Sequence, residues 1–194
     1  MYRKLKRGPQ VILPKDIGII ITFSGIDKNS ICVDAGTGSG WLAVSLARVA
    51  KAVYSYDMRD DFLAIAEKNR QILGLDNLVL KKGDVFNRID EKGVDMIALD
   101  MPSSDKALSN AKKALAPGGS VVGYLPHMEQ VKAFVKKLNS LKFEDIYTVE
   151  VNVRDILVRE EGIRPSTKGI WHTAYLVFAK KQESSRLLHQ PISH

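Results

Sequence analysis

The chain has 194 residues, of which 45% are hydrophobic and 26% charged, the balance of one globular domain with a full-sized core. No apolar run approaches the roughly 20 residues that a membrane-spanning helix needs, and no charged-then-apolar leader precedes the first strand, so a soluble, cytoplasmic protein with no membrane partner is expected. A net charge of +7 points to a polyanionic partner, the single Cys32 excludes an intramolecular disulfide, and His127, His172, His189 and His194 share no metal-ligand spacing, so no metal site is predicted.

In chain order, Arg3, Lys4, Lys6 and Arg7 mark residues 1–7 as a basic N-terminal tail. Pro14 opens a helix to about Ser24, since proline suits the first helical turn. Strands are predicted at about 31–35, 52–57, 78–82, 94–100, 120–125, 144–151 and 172–180, with helices at about 39–50, 60–74, 105–116 and 127–140. Ala116-Pro117-Gly118-Gly119 reads as a helix stop and a turn before a strand. The alternation predicts a mostly parallel sheet covered on both faces, and the lack of a helical pattern between the last two strands predicts an antiparallel pair at one edge. Residues 1–182 are read as a single domain and 183–194 as a disordered tail. Arg154, Arg159, Arg164 and Lys168 gather in one late loop region, a candidate grip on phosphates.

The most informative stretch runs from Ile31 to Trp41, where the apolar residues before Asp34-Ala35 give way to Gly36, Gly38 and Gly40. Three alternate glycines followed by a helical pattern read as a buried strand, a tight turn and a helix N-terminus, where backbone approaches a ligand without Cβ obstruction. Asp57 ends the next apolar run about twenty residues on, where a carboxylate accepts hydrogen bonds from ribose hydroxyls, so the ligand is a nucleoside-bearing cofactor. A dinucleotide fingerprint needs its third glycine at position 41, where Trp41 stands. The turn instead resembles the first motif of methyltransferases that use S-adenosylmethionine. That resemblance implies an α/β fold: a three-layer, Rossmann-like, seven-stranded mixed sheet with helices on both faces and an antiparallel last strand.

Ligands of open α/β sheets bind beyond the carboxyl ends of the strands, and Asp34, Asp57, Asp84 and Asp100 stand at or just after four such ends. Asp57 is assigned to the ribose. In the methyltransferase class the place of Asp84, within Gly83-Asp84-Val85, meets the adenine amino group, and that of Asp100 lies beside the transferred methyl. Asp34 either orients the glycine turn or reaches the methionine ammonium, and the sequence leaves both readings open. Cys32, inside a buried strand, reads as core packing rather than a nucleophile.

Along nearly its whole length the chain also resembles one family, the tRNA (adenine-58-N1)-methyltransferases. Gly8-Pro9-Gln10 through Pro14-Lys15-Asp16 is similar to their G-x-Q-x-x-x-P-K-D motif, and Ser55-Tyr56-Asp57-Met58-Arg59 resembles S-Y-E-x-R with Asp in place of Glu. Leu99-Asp100-Met101-Pro102 resembles L-D-L-P, Tyr124-Leu125-Pro126 with Gln130-Val131 resembles Y-x-P with Q-V, and Arg164-Pro165 and His172-Thr173-Ala174-Tyr175 resemble R-P and H-T-G-Y. Members usually carry an N-terminal β-rich domain, whereas seven residues precede the first motif here, and Leu13 stands where members often have an aromatic residue or histidine.

The resemblance implies transfer of a methyl group from S-adenosylmethionine to N1 of a T-loop adenosine in tRNA, by a homo-oligomer that is usually a tetramer. It implies cofactor binding by Gln10, Asp34, Gly36, Thr37, Gly38, Ser39, Gly40, Asp57, Met58, Asp84 and Val85, catalysis by Asp100, and substrate binding by Arg154, Arg164 and His172. N1 of neutral adenine carries a lone pair, so the attack needs neither prior deprotonation nor a metal, and a carboxylate at Asp100 is suited to accept from the N6 amino group. Three alternatives stay open: a methyltransferase of a small molecule or protein, a non-catalytic tRNA-binding subunit, and a nicotinamide-dependent oxidoreductase.

Overall fold

In the computed structural model, residues 2–8 and 11–183 are described. Gln10 and the 184–194 segment, expected to be a cofactor contact and a disordered tail, lie outside the described residues. The elements are α1 (Pro14–Ser24), β1 (Ile31–Ala35), α2 (Trp41–Ala47), β2 (Ala52–Asp57), α3 (Asp60–Leu73), β3 (Leu78–Lys82), β4 (Val94–Leu99), α4 (Leu108–Ala114), β5 (Leu115–Leu125), α5 (Met128–Ser140), β6 (Phe143–Glu150), β7 (Ile156–Arg159), β8 (Gly162–Pro165) and β9 (Tyr175–Lys181).

Seven strands form one sheet in the order β3-β2-β1-β4-β5-β9-β6. The first five are parallel, and β9 runs antiparallel between β5 and β6. Alternate residues of each central strand feed two separate cores, which is why these strands read as near-continuous apolar runs. Val33, Ile97, Val121 and Val177 meet α4 and α5 through Leu108, Ala111, Phe134 and Leu138. On the other face Cys32, Val53, Met96, Val122 and Phe178 meet α1 and α2 through Ile17, Ile20, Val44 and Leu46. Burial pushes the Cys32 thiol up to about 12, so this cysteine is packing and not a nucleophile.

Four expectations need correction. Residues 2–7 are not a free basic tail: Tyr2–Lys4 form a 3₁₀ turn, Leu5 is buried, and the Tyr2 ring packs on Trp41 with centroids 4.9 Å apart. The predicted 105–116 helix is a 3₁₀ turn, Ser104–Ala107, running into the shorter α4. Strand β5 begins at Leu115, and Ala116 to Gly119 bulge within it rather than preceding it, shifting the register between Val94 and Met96 of β4. Between the last two sheet strands the chain is not plain loop, because β7 and β8 pair as a separate antiparallel ribbon.

Candidate active site

The glycine turn leaves β1 at Ala35 and lies against the end of β4. Gly36 has φ +94°, and a Cβ there would stand 2.0 Å from the Asp100 carbonyl oxygen, so only glycine fits. The turn is held from the far side by β2, since the Gly36 and Thr37 N–H groups both donate to the Tyr56 carbonyl (2.9 and 3.1 Å). Asp57 Oδ2 accepts from Gly38 N–H (2.9 Å) and Oδ1 from Arg59 N–H (3.0 Å). Each carboxylate oxygen has two lone pairs, so both retain accepting capacity toward a vicinal diol.

Strand alternation brings Asp34, Ser55 and Asp100 to the α1/α2 side of the sheet at its carboxyl end. Asp34 is buried and accepts from the Ser55 hydroxyl at 2.6 Å; because that proton is committed, the Thr37 hydroxyl, 2.7 Å away, donates to Ser55. Burial raises Asp34 to about 6 against the lowering effect of Ser55, and Asp57 raises it further. Asp100 is raised to about 7, first by burial and then by the charge of Asp34. Its backbone N–H donates to the Ala35 carbonyl (2.8 Å), and among the described residues no donor meets its carboxylate. A half-buried carboxyl group without a partner, whose backbone leaves no room for a side chain at Gly36, is an unusual place for a merely structural acid.

The other candidates fall at different places. Asp84 caps its own turn, accepting from Phe86 N–H (2.8 Å) and the Asn87 amide (3.2 Å), and the Val85 side chain is committed to the core. Met58 is exposed beside Asp57, an apolar surface suited to a planar ring. Ser39 and Gly40 are buried at the start of α2, the Ser39 hydroxyl without a partner. Asn69, missed by the sequence reading, is a wholly buried residue of α3 that joins the N-terminal segment to the glycine turn: its amide nitrogen donates to the carbonyls of Lys6 (2.9 Å) and Ser39 (2.8 Å), and its oxygen accepts from Lys6 N–H (2.7 Å). A single polar residue on the buried face of an amphipathic helix was its one signal.

Arg154 and Arg164 are not at the strand ends but on the 151–174 segment that carries the ribbon. Arg154 Nε donates to the Ser166 carbonyl (3.3 Å) and its guanidinium lies 5.7 Å from the Trp171 ring centroid. His172 stands at the root of this segment with Nδ1 2.6 Å from Glu150 Oε1 and Nε2 2.9 Å from the Pro126 carbonyl oxygen. Two acceptors on two ring nitrogens favour the doubly protonated imidazolium, and the Glu150 carboxylate followed by the Pro126 carbonyl raises the pKa. The stability this histidine contributes is therefore full below the ordinary value of about 6.5 and is lost as pH rises through the raised one. Melting temperatures of the native protein and His172→Gln, compared from about pH 5.5 to about pH 8.5, should differ most at the acid end and converge at the alkaline end. A constant difference would show that the imidazolium is not the form held.

A family profile described as the tRNA methyltransferase complex GCD14 subunit matches residues 3–167. The chain belongs to that tRNA methyltransferase family. A relative from Methanocaldococcus jannaschii, named tRNA (adenine(57)-N(1)/adenine(58)-N(1))-methyltransferase TrmI, is 41% identical, the match covering 93% of this chain and 74% of the relative. The crystal structure of the tRNA (m1A58) methyltransferase TrmI of Aquifex aeolicus superposes with a TM-score of 0.87 at 28% identity, covering 93% of this chain and 74% of that one. A Thermotoga maritima structure described as an S-adenosylmethionine-dependent O-methyltransferase superposes with a TM-score of 0.89 at 32% identity, covering 93% and 69%. Membership in this methyltransferase family implies use of S-adenosylmethionine, and the open backbone of the turn with acceptors on either side fits such a group.

Proposed function

We propose that this protein transfers a methyl group from S-adenosylmethionine to N1 of a T-loop adenine in tRNA. The observation that carries this reading is the Asp100 carboxyl group, unpartnered among the described residues at the end of β4 and packed by its own backbone against the glycine turn. Bound S-adenosylmethionine supplies an electrophilic methyl group on a sulfonium.

Within that reading Asp57 accepts from the ribose hydroxyls, and the Gly36–Gly40 turn with Asp34 faces the amino-acid end. Met58, Asp84 and Val85 take the adenine end. Asp100 accepts a hydrogen bond from N6 of the target adenine, orienting its N1 lone pair and stabilising the positive charge that develops on the ring during transfer. Because N1 lies on the Watson-Crick edge, the base must be unpaired to reach Asp100. Arg154 and Arg164 serve the RNA backbone, while His172 is held by protein acceptors on both ring nitrogens and acts through the chain rather than on the base.

The same reading takes residues 1–182 as one catalytic domain working in the cytoplasm as a homo-oligomer. Exposed Ile156, Val158 and Ile163 on the ribbon support association between copies. The test is incubation of unmodified tRNA with labelled cofactor. Label recovered in tRNA supports the reading; a labelled small molecule or protein, with tRNA blank, would transfer the assignment to a methyltransferase of that other substrate.

A further inference from the structure

The segment from Val151 to Ala174 leaves and returns to the sheet at one end. Strand β6 runs parallel to β5 and finishes at Glu150, and antiparallel β9 starts at Tyr175, paired with both Glu150 and Leu125. That is the carboxyl end of the parallel strands, where Asp34, Asp57 and Asp100 stand. The segment carries Arg154, Arg159, Arg164 and Lys168 out from this end, with Asp155, Glu160 and Glu161 interleaved. Its ribbon pairs only with itself among the described strands, and an isolated two-stranded ribbon has little stability of its own.

What holds its two roots is a buried polar cluster that the methyl-transfer chemistry does not use. Lys15 Nζ donates to Asp16 Oδ1 (2.8 Å), to the Val151 carbonyl (2.7 Å) and to Thr173 Oγ1 (2.7 Å), so all three of its N–H groups are spent. The Thr173 hydroxyl donates in turn to Asp16 Oδ2 at 2.9 Å, closing a ring. Asp16 has no exposed side-chain surface and Lys15 keeps 11%. Beside this ring the His172 imidazole joins Glu150, on the outgoing root, to the Pro126 carbonyl beyond β5. Residues 15 and 16 of α1 thus tie residue 151 to residue 173, and residue 172 ties residue 150 to the end of β5.

We propose that Lys15, Asp16 and Thr173, with His172 and Glu150, form a latch that fixes the Val151–Ala174 segment at the catalytic end and so positions it for the tRNA backbone. These are positioning residues; none is assigned to cofactor or to the reacting base. The proposal rests on the tRNA reading, and it adds that the grip on RNA depends on groups that do not touch RNA. The Lys15–Asp16 pair lies within α1 and is a poor source of stability, but buried together the two charges need the Val151 carbonyl and the Thr173 hydroxyl as their remaining partners, which holds both roots against α1.

Removing either charge would strand the other inside the protein, so the informative change is Thr173→Val, which keeps shape and leaves Lys15 and Asp16 paired. Thr173→Ser restores the hydroxyl. Two dissociation constants, for tRNA by fluorescence anisotropy and for S-adenosylmethionine by calorimetry, are compared among the native protein, these two variants and His172→Gln, a second break in the latch. The expected result is about tenfold weaker tRNA binding in Thr173→Val and in His172→Gln, cofactor binding within twofold, and recovery in Thr173→Ser. Amide hydrogen exchange over residues 152–171 should accelerate in the two weakened variants. Equal tRNA affinity in Thr173→Val and the native protein, or equal losses for tRNA and cofactor, would overturn the latch; if Thr173→Val does not fold, His172→Gln is judged by the same criteria. Failure of the native protein itself to bind tRNA overturns the tRNA reading, and the latch with it.

Discussion

Replacing Asp100 by alanine should lower single-turnover methyl transfer to tRNA by about 10²-fold or more while leaving S-adenosylmethionine affinity within a few-fold. The asymmetry follows from position: the Asp100 carboxylate meets no donor among the described residues, while its backbone N–H and carbonyl are what pack against the end of β1 and the glycine turn. Truncation therefore removes a group aimed at substrate and leaves the turn in place. Asp100→Asn should be milder, because an amide oxygen still accepts from N6 but brings no charge to the developing cation. Ionisation gives a second handle. Burial and the neighbouring Asp34 raise Asp100 to about 7, and only its carboxylate form brings negative charge to the developing cation, so the native rate should climb with pH through a limb at or below about 7 and then level. Rapid-quench assays across pH on the native protein and Asp100→Asn, the latter flat in this range, check both points. A native rate retained by Asp100→Ala would reduce this residue to a strand-end cap.

Gly36→Ala should abolish measurable cofactor binding at concentrations that saturate the native protein. The left-handed backbone alone costs about 1–2 kcal/mol for a residue with a Cβ. The larger effect is steric: the new methyl group would occupy the space of the Asp100 carbonyl oxygen, 2.0 Å away, so β1, β4 or the turn must move. Each of those moves displaces Asp34, Asp57 or Asp100 from the others. Gly38 is the internal control for stability, because its φ of +52° lies in the ordinary left-handed region and the nearest atom to an added Cβ is 3.9 Å away. Chemical denaturation should show Gly36→Ala losing more stability than Gly38→Ala, and calorimetry should show no heat of cofactor binding for Gly36→Ala. Equal stability losses at the two positions would mean that the turn yields more readily than its packing implies.

The elements that position the site were legible because each is coded locally. Strands β1, β2 and β3 fall at the predicted bounds: the buried β1 is an apolar run that ends at Asp34-Ala35, while β2 and the edge strand β3 are only partly buried and are bounded by the charges of Asp57 and of Lys81-Lys82. Helix α1 begins at Pro14 and stops before Gly25, both of which are local signals. Legibility ended where a feature depends on distant partners. The β7–β8 hairpin turns through Glu160-Glu161, which lacks the Asn-Gly or Asp-Gly signature of two-residue hairpin loops, so it read as loop. Lys15 and Asp16 read only as parts of a family motif, since nothing nearby in sequence indicates that they close on Val151 and Thr173. The placing of Asp57 at a strand end was readable; its two backbone donors, Gly38 and Arg59, were not, because they depend on the fold of the turn.

Nucleoside analysis by mass spectrometry tests the central assignment most directly. Unmodified tRNA is incubated with the native protein and S-adenosylmethionine carrying a labelled methyl group, digested, and compared with the same tRNA in which the T-loop adenosines are replaced by guanosine. The expected result is labelled N1-methyladenosine from the native tRNA alone. Label in another nucleoside, or N1-methyladenosine that persists without the T-loop adenosines, would contradict the assignment of Asp100 and the turn beside it to this base.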